Sequence, residues 1–353
     1  MMREKFWQRG KTMRLGGVIG FAIGLMVLPA AAQQQDSIVL RTTGSFYVGG
    51  RQVDIQGEPV WQVPLPDGEI QKVDHNGVHA VEQMYVQYLL PQNRKGKLPL
   101  LMWHGGGLTG VSYETTPDGR EGWLNMFVRK GWDVYVSDAV ERGRAGWAMP
   151  EVFAGEPVFS SAQTPWVNFR FGDSASWSPD PAQRKPFAGS QFPFEAYDDL
   201  LKQLVPRWLT TNDAIMAAYV ALIDKVCPCV LLVHSQSGTF GYRAALARPD
   251  KIKALVVIEG TLRGDAATAA ALKGIPIVVL YGDNVEKSAS FSEQRETNMK
   301  MAALAKAAGG SIEIINLPER GIKGNTHMMM MDRNNAQVAD VIQEWLVAKG
   351  LAD

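Results

Sequence analysis

A serine that directly follows an apolar run is the strongest candidate for chemistry in this chain. Residues 230–238 read Val-Leu-Leu-Val-His-Ser-Gln-Ser-Gly, so that a buried-type strand leads into Ser235 and a helical pattern follows. A sharp strand-to-helix turn lifts a serine hydroxyl clear of a sheet, and the N–H of the next residue, Gln236, then faces a developing oxyanion. The pattern predicts that Ser235 is a nucleophile.

Two other interpretations of this run remain open. Close packing of strand and helix favours glycine two residues before and after the serine, whereas Val233 and Ser237 stand there. A shifted register would make Ser237 the nucleophile, and a serine before a helix often serves only as its N-cap. The strand length and the His-Ser-Gln order favour Ser235.

Three glycines upstream are typical of an oxyanion-binding loop. They follow a predicted strand in the run Trp-His-Gly-Gly-Gly at 103–107. Glycine lets the backbone turn its N–H groups toward a ligand and leaves room for an acyl group, although glycines after a strand alone would indicate only a loop. We expect Gly106 and Gly107 to donate to the oxyanion together with Gln236, and His104 to brace the loop.

The base and the acid must come later in the chain. His327 lies in a loop between the last predicted strand and the last helix, where a general base can reach the serine. Two carboxylates compete for the acid position, because Glu259 and Asp283 each follow the tip of an apolar strand. The residues alone leave this choice open.

Strands and helices alternate around these motifs. Such alternation predicts an α/β fold with a mostly parallel sheet covered by helices on both faces, and residues 38–71 are expected to form antiparallel edge strands joined to that sheet. The predicted strands are 83–90, 98–104, 132–138, 230–233, 254–258, 275–281 and 311–317, and the predicted helices are 122–130, 240–248, 293–308 and 336–349. The irregular, aromatic-rich segment 147–195 is interpreted as an inserted cap over the site, with an accessory packing layer as the alternative.

The first 32 residues resemble a leader. Five basic residues precede an apolar run at 15–28, which ends in small residues and is too short to span a membrane. We therefore expect a signal peptide at 1–32, followed by a single domain at 33–353 that is periplasmic or secreted and does not bind a membrane. Without the leader the chain has 31 basic and 35 acidic residues, which argues against a nucleic-acid partner.

The two cysteines say little about disulfides or metal sites in this protein. Cys227 and Cys229 are the two cysteines of the chain, and a bridge across two residues would be strained. We favour the interpretation that they are small residues entering a strand, with a strained bridge or an intermolecular link as the alternatives. Two cysteines at this spacing are too few for a structural zinc site. We expect neither a metal nor an organic cofactor.

The three catalytic motifs together resemble those of bacterial α/β-hydrolase esterases. The matching residues are Trp-His-Gly at 103–105, Leu-Thr-Gly at 108–110, His-Ser-Gln-Ser-Gly at 234–238 and the loop 324–335. The resemblance implies the α/β-hydrolase fold and an acid at the end of the strand after the elbow helix, which is Glu259 here.

The expected activity follows from that resemblance and from the cap. A Ser235, His327 and Glu259 triad would hydrolyse carboxylic esters through an acyl-enzyme, and the aromatic cap favours small apolar or aromatic esters as substrate. An amidase, a lactonase or a C–C hydrolase with the same triad is the alternative, as is a binding protein that kept the fold and lost catalysis. The sequence does not decide between a monomer and a homodimer.

Overall fold

A mixed sheet of eight strands forms the centre of the protein. The computed structural model describes residues 37–353, so that the predicted signal peptide lies outside the described part. Its strands are β1 (Leu40–Ile55), β4 (Gly77–Pro91), β5 (Leu100–Trp103), β6 (Val134–Asp138), β7 (Cys229–His234), β8 (Ile252–Ile258), β9 (Ile277–Tyr281) and β10 (Ile312–Asn316), while β2 (Trp61–Pro64) and β3 (Ile70–Val73) lie outside this sheet. The order of the strands across the sheet is β1-β4-β6-β5-β7-β8-β9-β10.

The direction of the strands confirms the predicted α/β class. The six adjacent strands β6, β5, β7, β8, β9 and β10 are parallel to one another. Strand β4 is antiparallel to β6, and β1 is antiparallel to β4 along almost its whole length. The carboxyl ends of the parallel strands therefore meet at one edge of the sheet, which is where α/β sheets bind their ligands.

Helices cover both faces of this sheet. They are α1 (Trp123–Arg129), α2 (Thr164–Asn168), α3 (Tyr197–Leu201), α4 (Asn212–Val226), α5 (Gln236–Ala247), α6 (Ala266–Ala271), α7 (Ala289–Ala307) and α8 (Asn335–Ala348). The sequence analysis missed α4, although Ile215, Tyr219 and Leu222 recur at helical spacing and are buried. Within residues 37–353, no helix is both long enough and apolar enough to cross a bilayer.

Two apolar clusters pack against opposite faces of the sheet. In β7, Val230 and Leu232 join a cluster that includes Trp123 of α1, whereas Leu231 and Val233 join the one that includes Tyr219 of α4. Successive side chains of a strand point to opposite faces, so a strand covered on both sides must be apolar throughout. This explains the continuous apolar run that leads to Ser235.

The N-terminal strands differ from the prediction in one respect. Strand β1 is an antiparallel edge strand of the main sheet, as expected, but β2 and β3 form a separate two-stranded sheet. All four side chains of β2 are exposed, so this hairpin has no apolar face to bury against the main sheet. The expectation that the whole of 38–71 joins the main sheet was wrong for β2 and β3.

The two cysteines also differ from the favoured interpretation. Cys227 and Cys229 are joined by a disulfide, with their Cα atoms 4.5 Å apart. Two residues of extended strand would span about 6.6 Å, so the chain is compressed where α4 turns into β7, and the separation falls within the usual disulfide range of roughly 4.4–6.8 Å. The favoured interpretation, two unbridged small residues, was therefore wrong.

Candidate active site

The predicted site residues lie at the carboxyl end of the sheet. Ser235 follows β7, Glu259 follows the neighbouring strand β8, and His327 lies in the loop between β10 and α8. The glycine loop, 105–107, follows β5 on the other side of β7. Because these strands are adjacent and parallel, four segments far apart in sequence converge on Ser235.

The backbone of Ser235 has an unusual conformation. Its φ is 54° and its ψ is −118°, and its N–H donates to the carbonyl of Ile258 at 2.9 Å. A non-glycine residue with positive φ persists only where the surrounding structure holds it, and such residues concentrate at functional sites. Helix α5 begins at the next residue, so this conformation makes the strand-to-helix turn that the sequence predicted.

Strand β7 and helix α5 pack closely around Ser235 although Val233 and Ser237 occupy the positions where glycine is usual. A Cβ on Gly241 would lie 2.9 Å from Cγ1 of Val233, so the absence of a side chain there accommodates the branched valine. A Cβ on Gly238 would lie 2.6 Å from the Cα of Gly260, at the close approach of α5 to the end of β8. Val233 is therefore compatible with the turn at Ser235, because the small residues that allow close packing are Gly238 and Gly241 on α5 and Gly260 just after β8.

The structure brings His327 and Glu259 into direct contact. Nδ1 of His327 lies 2.6 Å from Oε2 of Glu259, and both side chains are buried. The Glu259 carboxylate also accepts from the N–H of Gly282 at 2.8 Å and from both terminal nitrogens of Arg170, each at 2.5 Å. Sequence reasoning missed Arg170, which comes from the aromatic-rich segment.

These contacts set the charge states of the pair. Burial opposes the ionisation of Glu259, but the charge of Arg170 and the hydrogen bonds from His327 and Arg170 outweigh it and lower the pKa of the carboxyl to about 2. Burial lowers the pKa of His327 below its usual 6.5, with the nearby Glu259 acting in the opposite direction. Glu259 is therefore ionised and His327 neutral at neutral pH, which is the state of a general base before it accepts a proton.

Three rings hold the imidazole of His327 in place. The ring centroids of His234, Phe291 and Phe169 lie 4.5, 4.7 and 5.8 Å from that of His327. The backbone of His327 is anchored as well, since its N–H donates to the carbonyl of Phe169 at 3.0 Å and its carbonyl accepts from Nε2 of His234 at 2.9 Å. His234 precedes the predicted nucleophile, so the serine turn and the histidine loop are directly linked.

Asp283, the other candidate acid, has a different role in the structure. Its carboxylate accepts from the N–H of Asn325 at 2.9 Å, and its own N–H donates to the Asn325 carbonyl at 2.8 Å. Asp332 stabilises the same loop by accepting from the N–H and the hydroxyl of Thr326 at 2.7 and 2.8 Å. The two aspartates thus hold the loop that carries His327, whereas Glu259 contacts its imidazole.

His104 braces the glycine loop. Its Nδ1 donates to the carbonyl of Gly105 at 2.8 Å, and its Nε2 accepts from the N–H of Ala139 at 3.1 Å. Burial and the nearby Arg142 lower the pKa of His104 to about 4, so the ring is neutral and keeps this pattern of one donor and one acceptor. Ser237, the competing nucleophile, donates its hydroxyl to the His104 carbonyl and is buried.

A cavity of about 620 Å³ opens above Ser235. Its lining includes Ser235, His327, Gln236 and Gly106, which are four of the predicted site residues. Of the other two, Glu259 lies behind His327, whereas Gly107 has a φ of 70° and lines an adjoining cavity of about 300 Å³. Of the two predicted glycine donors, Gly106 is therefore the one that shares a cavity with the serine.

The aromatic-rich segment contributes to this cavity mainly at one point. Val167, Asn168 and Phe169 line it, at and after the end of α2. Four other aromatic rings of the segment pack together, mainly edge to face, and Tyr197 beyond the segment joins them; these four are Trp166, Phe171, Phe192 and Phe194. Within residues 37–353, no group of three or more His, Cys, Asp or Glu side chains is placed to hold a metal ion.

Comparison with known proteins places the chain in a family. No protein-family model matches it. A solved structure described as a novel bacterial esterase is similar over 89% of this chain and 98% of its own, with 34% sequence identity and a TM-score of 0.78. A probable secreted lipase from a fungal species is 26% identical over 316 residues, which cover 74% of this chain and 85% of the lipase. The chain therefore belongs to the bacterial esterases of the α/β-hydrolase superfamily.

Proposed function

We propose that this esterase hydrolyses carboxylic esters with Ser235 as nucleophile, His327 as general base and Glu259 as the acid that orients the base. The observation that carries the proposal is the 2.6 Å contact between Nδ1 of His327 and Oε2 of Glu259. His327 also lines the same cavity as Ser235. A carboxylate accepts only, so Nδ1 must carry the proton and Nε2 is left as the proton acceptor.

The first step forms an acyl-enzyme. Nε2 of His327 takes the proton of the Ser235 hydroxyl as its oxygen attacks the ester carbonyl, and the imidazolium that results is stabilised by Glu259. The N–H groups of Gln236 and of the loop that includes Gly106 and Gly107 would hold the negative oxygen of the tetrahedral intermediate. Collapse of the intermediate releases the alcohol, which takes the proton back from His327.

The second step regenerates the serine. Water enters, His327 removes one of its protons, and the hydroxide attacks the acyl carbonyl. Collapse of this second tetrahedral intermediate releases the carboxylic acid, and the oxygen of Ser235 takes the proton from His327.

The walls formed by Phe169 and Phe291 are apolar and suit small apolar or aromatic groups of the ester. The other aromatic residues of 147–195 do not line this cavity, so the argument rests on those two rings.

Secretion is part of the proposal. The leader pattern at 1–32 and the similarity to a lipase described as secreted support export to the periplasm or the medium. An amidase, lactonase or C–C hydrolase would use the same side chains, because a triad does not determine which bond is cleaved.

Hydrolysis of 4-nitrophenyl and aryl esters by the protein and by two serine variants tests the proposal. We expect Ser235→Ala to lose activity by a factor on the order of 10⁴ or more, because it removes the attacking atom. Ser237→Ala is the matched control, since this hydroxyl donates to the His104 carbonyl and contacts the loop instead of lining the cavity. Loss of activity in Ser237→Ala alone would refute the assignment of the nucleophile, and absence of ester hydrolysis in the wild type would favour the other scissile bonds.

A further inference from the structure

Arg207 lies where the two cavities meet. It lines both the cavity above Ser235 and the adjoining cavity that contains Gly107, together with Gly106, Asn168 and Phe169. Its Nη1 lies 3.2 Å from the position that a Cβ on Gly106 would occupy. The guanidinium group is therefore close to the loop expected to bind the oxyanion, and it faces the space in which a substrate would lie.

The charge of Arg207 has no counterion in the described structure. Among the ion pairs found within residues 37–353, none joins Arg207 to a carboxylate within 4.0 Å. The residues that line the two cavities include no Asp, Glu or Lys, so Arg207 is the only permanently charged side chain among them. The nearby Arg142 carries a like charge and has Glu141 as its own partner at 3.0 Å.

The backbone on both sides of Arg207 is firmly held. Val158 and Arg207 exchange two hydrogen bonds, at 2.7 and 3.2 Å, which tie this segment to the irregular region 147–195. The N–H of Val205 donates to the carbonyl of Gly107 at 2.9 Å, and Trp208 is buried. Arg207 therefore extends from a segment attached to the oxyanion loop itself, so its position is coupled to that of the catalytic groups.

We propose that Arg207 binds a carboxylate on the substrate, so that the preferred substrates are esters that also carry an acid group, such as half-esters of dicarboxylic acids. The inference rests on the proposed function and names its substrate class. A guanidinium fork matches a carboxylate in a bidentate arrangement, and a lone cation in a cavity without acidic residues attracts one negative charge. A single cation balances a monoanionic carboxylate better than a dianionic phosphate.

The walls of the adjoining cavity fit the rest of such a substrate. Val158, Leu204 and Val205 line it beside Arg207 and suit a short methylene chain between the ester and the acid. Ser288 and Ser290 also line the main cavity, where their hydroxyls can hydrogen-bond to a polar leaving alcohol. An anionic group bound to Arg207 would thus lie beside the loop expected to bind the oxyanion.

The catalytic test compares two esters that differ in charge. The ratio of kcat/KM for ethyl hydrogen glutarate to kcat/KM for ethyl pentanoate is measured by ethanol release in the wild type, Arg207→Gln and Arg207→Lys. We expect the wild type to favour the anionic ester, Arg207→Gln to lower the ratio at least tenfold, and Arg207→Lys to retain part of it. Arg320→Gln is the matched control, because it removes the same charge from an exposed site that lines neither cavity.

A binding measurement separates this inference from the proposed function. Calorimetric titration of ethyl hydrogen glutarate into Ser235→Ala, with and without Arg207→Gln, needs no turnover, and we expect at least tenfold weaker binding in the double variant. If binding depends on Arg207 while the wild type hydrolyses neither these two esters nor the 4-nitrophenyl and aryl esters, the carboxylate site stands and the proposed function fails. A binding constant unchanged by Arg207→Gln, or an equal loss of kcat/KM for both esters, would overturn the carboxylate site.

Discussion

Arg170 and Glu259 form a bidentate ion pair in which both side chains are buried, with each terminal guanidinium nitrogen 2.5 Å from a carboxylate oxygen. The same carboxylate contacts Nδ1 of His327. Arg170 follows α2 and also lies over the ring of Phe291, 4.4 Å from its centroid. The irregular segment 147–195 thus contributes a residue that orients the proposed acid, in addition to the cavity wall.

Replacement of Glu259 by glutamine tests its role as the acid. We expect kcat to fall by a factor on the order of 10²–10⁴, because the imidazolium loses its counterion, and the acidic limb of the kcat/KM profile to move to lower pH, because Glu259 raises the pKa of His327. Steady-state kinetics between pH 4 and 8 measures both effects. Asp283→Asn is the control, since an amide oxygen can still accept from Asn325. A larger loss of kcat in Asp283→Asn than in Glu259→Gln would contradict the assignment.

Removal of the Arg170 charge should shift the same profile in the opposite direction. Arg170 lowers the pKa of Glu259 and that of His327, so Arg170→Met should raise the pKa of His327 and move the acidic limb of kcat/KM to higher pH. Arg170→Lys keeps the charge but loses the bidentate geometry, and its shift should be smaller. Steady-state kinetics over the same pH range measures the shift. If the acidic limb of the kcat/KM profile stays in place or moves to lower pH in Arg170→Met, Arg170 does not act through Glu259 and His327.

The stability of the protein should depend on pH through Glu259. Its pKa in the folded protein is about 2, below the usual 4.5, so its ionised form stabilises the fold fully above pH 4.5 and this contribution is lost as the pH falls toward 2. The shift corresponds to about 3 kcal/mol of the free energy of unfolding. Urea unfolding of the wild type and of Glu259→Gln at pH 7 and at pH 3 measures the difference. A stability gap between the two that does not narrow at pH 3 would contradict the lowered pKa.

A methyl group at Gly238 should disturb the geometry of the site. Its Cβ would lie 2.6 Å from the Cα of Gly260, so Gly238→Ala must push α5 away from the end of β8, which carries Glu259. We expect a loss of about 1–3 kcal/mol in the free energy of unfolding and a fall in kcat/KM. Gly274→Ala is the control, because its Cβ would meet nothing within 4 Å. Equal stability of the two variants would show that the close approach is not required.

Local patterns were sufficient for much of the fold. The apolar runs that became β7, β8 and β9 are continuous because both faces of each strand are covered, and such runs can be recognised without knowing what covers them. The separate hairpin β2 and β3 was not predictable, since pairing partners of short strands are chosen by contacts distant in sequence. The disulfide was an alternative that the sequence left open, because its formation depends on a turn between α4 and β7.

By itself, the sequence determined the order of strands and helices and the positions of the serine turn, the glycine loop and the histidine loop, because each is encoded by neighbouring residues. Only the tertiary structure decided which carboxylate contacts His327 and that Arg170 pairs with it, since 89 residues separate Arg170 from Glu259. The sequence did not predict a role for Arg207 either, because an arginine can be recognised as a binding residue only when the cavity around it is known to lack acidic groups. These residues are brought together by the topology of the chain, which cannot be predicted from the spacing of neighbouring residues.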